Sequence, residues 1–240
     1  MVELIGSTGR LGNKLFEYSF ARIIAEHFNY KFIHNLDNKE LSENFNLPEV
    51  IEGREFNFPV QVINGIHEFD YNLLNCILED VSDRKIKING YFQKYVYYKK
   101  YKDKLKKWFY VNNEKFNYPG AIGVHIRKGD YVNSVYDLPD EYFMDILKAE
   151  TYEKIYLTSD DSAHPTVKRI QNEFKNVELF VGSPYETLEN FSCFDKLITC
   201  FGTFSWWMGF LSKASKVYMP NKIIGQIDLI IDDEERYILV

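Results

Sequence analysis

The stretch AIGVHIRKGDY, residues 121–131, decides the fold. Ala121, Ile122, Val124 and Ile126 are strand formers, and Gly129-Asp130 ends the run as a turn. Side chains two apart in a strand share a face, so His125 and Arg127 alternate with Val124 and Ile126. An arginine at the carboxyl end of a strand in an open α/β sheet sits where such sheets bind ligands. Its planar fork of donors suits a phosphate. The same residues allow a plainer alternative, in which Arg127 only pairs with Asp130.

Towards the carboxyl terminus, strands and helices alternate. A loop over Val132–Asp137 leads to a helix near Pro139 that runs through Glu141 to Lys148. A strand at Glu153–Thr158 ends in Ser159-Asp160-Asp161, and a helix follows near Pro165–Phe174. Further strands are expected at Val177–Val181, Lys196–Cys200 and Val217–Met219, with helices at Glu186–Phe194 and Ser205–Ser212. This rhythm implies βαβ units on a parallel sheet, a Rossmann-like arrangement with its site along one sheet edge.

Towards the amino terminus, Val2–Ile5 reads as a strand and Gly6–Asn13 as a glycine-rich turn. Leu15, Phe16, Phe20, Ile23, Ile24 and Phe28 recur at helical spacing. Such a turn can offer backbone N–H groups to an anion, but its spacing is neither the dinucleotide fingerprint nor a P-loop. Tyr30–His34 reads as a second strand, and residues 35–80 carry no readable function. His27, His34 and His67 have no partners at metal-ligand spacing. Ile86–Gln93 reads as strand then turn. Lys94–Phe109 reads as one basic, aromatic helix whose charged face is solvated, with membrane binding as a lesser alternative. Asn112–Gly120 has the look of a linker, so the expected domains are 1–115 and 116–240.

Composition narrows the function. The chain has 240 residues, with 29 Lys and Arg against 35 Asp and Glu, a net charge of −6. This balance argues against a general nucleic-acid binder while allowing a local basic pocket for one nucleotide. The missing P-loop speaks against a phosphotransferase. Cys76, Cys193 and Cys200 form no CxxC and no even disulfide framework, which suggests free thiols in a reducing compartment. The opening MVELIGSTGR lacks the apolar core of a signal peptide, and no stretch has the length of a membrane span. A cytoplasmic, soluble protein is the expectation.

Three strand ends carry polar groups: His125, Arg127 and Asp130; Ser159, Asp160 and Asp161; Thr203 and Ser205. In a parallel sheet these ends point the same way, which gathers a cation, hydroxyls, carboxylates and a helix start. Ser205 reads as an N-cap that leaves the first helical N–H groups for a phosphate oxygen. Asp160-Asp161 would cap the next helix or bind ribose or ring hydroxyls; metal binding is the weakest reading of the pair. Trp206-Trp207 reads chiefly as core, with a sugar-lining role as the alternative.

Four blocks in order resemble the alpha-1,2-fucosyltransferases, glycosyltransferase family 11. They are GRLGNKLFEYSFAR at Gly9–Arg22, GYFQKYVYY at Gly90–Tyr98, HIRKGDY at His125–Tyr131, and SDD at Ser159 together with TFSWW at Thr203–Trp207. The resemblance implies a GT-B-like α/β fold of two Rossmann-like domains facing a cleft, the N-terminal one reduced and facing the acceptor. It implies an inverting hexosyltransferase that moves L-fucose from GDP-L-fucose to a glycan hydroxyl, with no obligatory metal and no other cofactor. The alternatives are transfer of another GDP-6-deoxyhexose such as GDP-rhamnose, or a non-catalytic GDP-sugar or glycan-binding module. By the same resemblance Arg127 binds the diphosphate and His125 faces the nucleotide. Thr203, Phe204 and Ser205 reach the phosphates, and Gly12 and Asn13 join the donor site. Ser159, Asp160 and Asp161 complete the expected donor set. Asp130 is the candidate general base, with Glu17 second; Glu186 and Glu189 could meet the guanine edge or simply lie on a surface helix.

Overall fold

The computed structural model describes residues 1–5, 9–34, 41, 44–65, 69–112, 114–116 and 118–240. Residues 6–8 of the glycine-rich turn and His67 lie outside them. The chain divides into two compact units: Met1–Tyr110 with Gly225–Leu229, and Val111–Ile224 with Ile230–Val240. Among the described residues no helix is long and apolar enough to cross a membrane.

The first unit is built on a five-stranded sheet: β1 (Val2–Leu4), β2 (Phe32–His34), β3 (Val50–Ile51), β4 (Val60–Gly65) and β5 (Lys85–Gly90), in the order β3-β2-β1-β5-β4. Only β2–β3 is antiparallel. Helix α1 (Leu11–Phe28) buries Leu15, Phe16, Phe20, Ile23 and Ile24 and stops at Asn29, which takes the left-handed conformation. A short helix, α2 (Leu73–Glu79), precedes β5. The end of β5 turns sharply. Gly90 has φ +144°, and a side chain there would drive a Cβ to 2.4 Å from the Gly65 backbone. Phe92 then stacks on Phe20 with centroids 3.8 Å apart.

The expected long helix over 94–109 is instead three short pieces: 3-10 turns at Tyr95–Tyr97 and Lys99–Tyr101, then α3 (Lys102–Trp108). The reason is pairing with a segment distant in sequence: Lys94 bridges to Asp228 in parallel register, which holds the backbone extended where a single helix would have begun. Lys94, Tyr95, Tyr97 and Tyr98 are all buried. The Tyr98 hydroxyl donates to the Phe92 carbonyl at 2.8 Å, and Lys94 Nζ donates to the Gln226 carbonyl at 2.8 Å. Lys94 is therefore interior, not solvated. The segment around Asp228 runs beside this block, with Asp228 N–H on Gln93 O and Tyr95 N–H on Asp228 O.

The second unit carries a six-stranded, all-parallel sheet: β6 (Ala121–Ile126), β7 (Lys154–Ser159), β8 (Val177–Leu179), β9 (Lys196–Ile198), β10 (Lys216–Met219) and β11 (Tyr237–Leu239). The order is β11-β10-β9-β6-β7-β8. All six residues of β6 are buried, as a strand flanked on both sides and covered on both faces must be. Helices α4 (Asp140–Ala149), α5 (Pro165–Glu173), α6 (Pro184–Phe191) and α7 (Thr203–Leu211) connect the strands. Ile122, Val124, Ile126, Phe143, Leu147, Ile155, Leu157 and Ile170 form one core beneath α4 and α5. Trp206 and Trp207 are also buried, Trp206 stacked on Phe210 at 4.7 Å, so the tryptophan pair is packing.

Candidate active site

The order of strands in the second unit places the site. β6 has β7 on one side and β9 on the other. The chain therefore leaves β6 in one direction and later returns to its opposite flank, which is a topological switch point, and ligands of open α/β sheets bind beyond the strand ends at such a point. The three polar strand ends expected from sequence are the ends of β7, β6 and β9, three adjacent strands.

Arg127 follows β6 directly. Its guanidinium is held by Asp130 through both arms, Nε to Oδ1 at 3.0 Å and Nη2 to Oδ2 at 2.8 Å. The pairing allowed by the sequence is thus present. The ring of Tyr131 lies against the guanidinium at 4.4 Å, and Asp160 Oδ2 is 3.9 Å from Nε. Burial alone would lower the pKa of Arg127, but the hydrogen bonds and charge of Asp130 outweigh it and the group stays cationic.

Asp160 shapes the loop that carries Arg127. Its Oδ1 accepts from the Lys128 N–H at 2.9 Å and the Gly129 N–H at 3.1 Å. It therefore does not cap the next helix. Asp161 accepts from Ala163 N–H at 3.0 Å in a local turn, and α5 is capped by His164, whose Nδ1 accepts from Thr166 N–H at 3.2 Å. Ser159 Oγ is engaged within the same loop, accepting from Asp161 N–H and donating to Asp161 O, both at 3.1 Å. Lys128 is buried and donates to Asp137 at 2.6 Å, which ties the far side of the loop down.

His125, at the end of β6, is buried beside Phe204 with centroids 5.5 Å apart, and its Nδ1 is 3.4 Å from Cys200 Sγ. Burial pulls its pKa down to about 4, against a smaller opposing pull from Asp160, so the imidazole is neutral at pH 7. Burial likewise pushes the Cys200 thiol up to about 11.

Helix α7 begins just past β9. Its N-cap is Gly202, not Ser205. Gly202 has φ +111°, and a Cβ there would lie 3.0 Å from the Tyr131 hydroxyl. Ser205 is the third helical residue, fully buried, and its Oγ accepts from the Cys200 N–H at 2.8 Å. It locks the turn by which Thr203 and Phe204 open the helix. A helix start concentrates partial positive charge on its first amides.

In the first unit, Gly12 and Asn13 lie in the first turn of α1. Asn13 Oδ1 accepts from Gln93 Nε2 at 3.1 Å, so the glycine block and the GYFQ block meet through side chains. Glu17 is buried in α1. Glu186 closes a capping box with Ser183, and Glu189 pairs with Lys115 at 2.8 Å, so both act in their own helix neighbourhood.

The sequence profile described as Glycosyl transferase family 11 matches residues 4–235. The chain belongs to this family. It is a glycosyltransferase accordingly. Two Caenorhabditis elegans proteins are similar over most of it. One, named as glycosyltransferase C06E1.7, is 26% identical over 90% of this chain and 71% of its own length. The other, named as galactoside 2-alpha-L-fucosyltransferase svh-11, is 25% identical over 89% and 69%. Among solved structures, a variant of Arabidopsis thaliana FUT1 in complex with GDP superposes with a TM-score of 0.58 at 10% identity, covering 94% of this chain and 71% of that one. NodZ alpha-1,6-fucosyltransferase soaked with GDP-fucose gives 0.55 at 13% identity, covering 90% and 93%. At these identities the likeness concerns the fold, which is the GT-B-like α/β class read from the sequence.

Three residues around Arg127 and His125 were not singled out as site residues from sequence: Tyr131, Lys128 and Cys200. Tyr131 and Lys128 lie inside the quoted HIRKGDY block, and Gln93 of the first unit lies inside GYFQKYVYY, so the signal was there. Cys200 lies three residues before TFSWW and has no such mark.

Proposed function

We propose that this glycosyltransferase moves L-fucose from GDP-L-fucose to a hydroxyl of a glycan acceptor, with inversion at the anomeric carbon. The observation that carries the reading is Arg127 at the switch point of the second sheet, one strand away from the start of α7. Family membership, the fucosyltransferase name of one relative, and GDP or GDP-fucose in the two solved structures support the choice of sugar nucleotide.

In this reading the diphosphate displaces Asp130 from the fork of Arg127, exchanging one anion for another. The departing GDP gains negative charge, and a fixed guanidinium with a helix start meets that charge more strongly in the transition state than in the ground state. Thr203, Phe204 and Ser205 serve the phosphates through the first turn of α7. Neutral His125 faces the nucleotide. Cys200, whose thiol keeps its proton, can donate to Nδ1 and leave the hydrogen on Nε2 for the ligand. Asp160 holds the Arg127 loop, and Ser159 and Asp161 shape the adjoining turn. Asp130, once released from Arg127, is the carboxylate we assign to the acceptor proton. Arg127 and the helix start supply the charge compensation, so activity should survive EDTA. The three thiols, none of them paired, suit a reducing, cytoplasmic setting.

The test is a panel of GDP-, UDP- and ADP-sugars in calorimetry and turnover, with wild type and Arg127→Ala. GDP-fucose should bind and turn over, and Arg127→Ala should lose ~10²-fold or more in kcat while remaining folded. Tighter use of another GDP-sugar would replace fucose in this reading. Near-normal turnover by folded Arg127→Ala would remove the arginine from it.

A further inference from the structure

The first unit carries a basic and aromatic surface built by none of the residues assigned above to the donor site. Residues 99–107 hold six lysines and one aspartate, a local charge of +5 on a chain of net −6, so the remainder carries −11. Leu105, Trp108 and Phe109 point inward and are buried, while Lys99, Lys100, Lys104 and Lys107 are exposed. Lys104 and Lys107 are three apart on α3, which aligns them on one side. Lys104 pairs with Glu26 at 2.9 Å.

Apolar side chains continue this surface. Phe69 is 62% exposed, Tyr71 49% and Val96 46%. Tyr71, Val96 and Lys100 line one shallow cavity of about 60 Å³ together with Tyr97 and Tyr101. Lys94 Nζ, beneath them, is 5.8 Å from the Phe69 ring and 5.2 Å from that of Tyr71, so both rings are seated on the same buried amine. Lys99 and Lys102 flank the Tyr95 ring at 6.0 and 5.8 Å. Lys100 thus shares one surface with the exposed Tyr71 and Val96, and Lys99 and Lys102 follow it along the chain.

We propose that this patch docks the protein on an anionic lipid bilayer. Charge complementarity selects an anionic partner. The combination with exposed Phe69, Tyr71 and Val96 selects a bilayer, which takes lysines at its headgroups and aromatic rings at its interface. A polyanion without an apolar layer would leave those rings in water. The docking depends only on this surface and not on the sugar nucleotide.

The test is co-sedimentation of the full chain with phosphatidylcholine vesicles with and without phosphatidylglycerol, at low and physiological salt. Wild type should bind only the phosphatidylglycerol vesicles, less so as salt shortens the reach of the charges to ~8 Å. Each exposed lysine near an anionic surface is worth ~5-fold, so Lys99→Gln/Lys100→Gln/Lys107→Gln should bind ~10²-fold more weakly with its melting temperature kept. Phe69→Ser should weaken binding at every salt concentration. Equal binding to both vesicle types, no binding to either, or full binding by the triple variant overturns the proposal. So does retention on an RNA or heparin column without vesicle binding.

Discussion

Lowering the pH tests the interior of the site through His125. The ring is buried between Phe204 and Cys200, and burial holds its pKa near 4 against an ordinary 6.5. The unfolded chain takes up a proton near pH 6.5 that the native site refuses until about pH 4. Stability is therefore full above pH 6.5, falls progressively as the pH drops towards 4, and levels below it. At about 1.4 kcal/mol per unit, the displacement amounts to about 3 kcal/mol. His34, also lowered by burial, acts in the same direction in the other unit. Burial would raise the Glu150 carboxyl, but hydrogen bonds from Lys196, Lys216 and Tyr218 bring it down from 4.5 to about 2, so its contribution begins to fade at the acid end of the window; being common to both proteins compared below, it cancels in their difference. The assay is urea unfolding of wild type and His125→Asn at several pH values from 7.5 to about 4. Asparagine keeps a polar atom towards Cys200 and cannot titrate, and His34 is common to both proteins. The stability gap between the two should narrow by about 3 kcal/mol on acidification. Parallel profiles across the window would refute the buried, neutral histidine.

Three further outcomes follow from the same loops. Asp160→Ala removes the acceptor of two backbone N–H groups and should lower kcat and GDP affinity by at least ~10-fold, charge-assisted bonds being worth about 1.5–3 kcal/mol each in full and less at a half-exposed site; Asp160→Asn retains an oxygen and should recover most of both in kinetics and calorimetry. Gly202→Ala forces a side chain into a left-handed conformation against the Tyr131 hydroxyl and should cost about 1–3 kcal/mol in thermal unfolding. Arg127→Lys keeps the charge but loses the two-armed fork, so GDP titration should show weaker binding with the fold intact.

Much of the second unit was legible because its elements announce themselves chemically. The apolar run 121–126, cut by Gly129-Asp130, could only be an interior strand, and the later strands repeat that pattern. What escaped depended on contacts distant in sequence. β4 is an edge strand whose exposed Val60 and Val62 break the expected alternation, and β11 lies beyond Pro220, where strand signals are weak. The single helix expected over 94–109 failed because Lys94 and Tyr95 find partners in residues 226 and 228, which no local periodicity reveals. In the site, Arg127 and its strand position were readable. Ser205 was misplaced as a cap because a serine ahead of an apolar run looks like one, whereas Gly202 can open the helix through a backbone conformation that composition does not display.

The return of Gly225–Leu229 to the first unit bears on how the protein is made. On the ribosome, residues 1–110 emerge first, yet the carbonyl that receives the Lys94 amine belongs to Gln226, 132 residues further along the chain. The first unit must wait for that later segment before its interior is complete. Cutting the chain near residue 110 to obtain two self-sufficient halves should fail on that side, and supplying a peptide covering 225–229 in trans is the remedy the connectivity suggests.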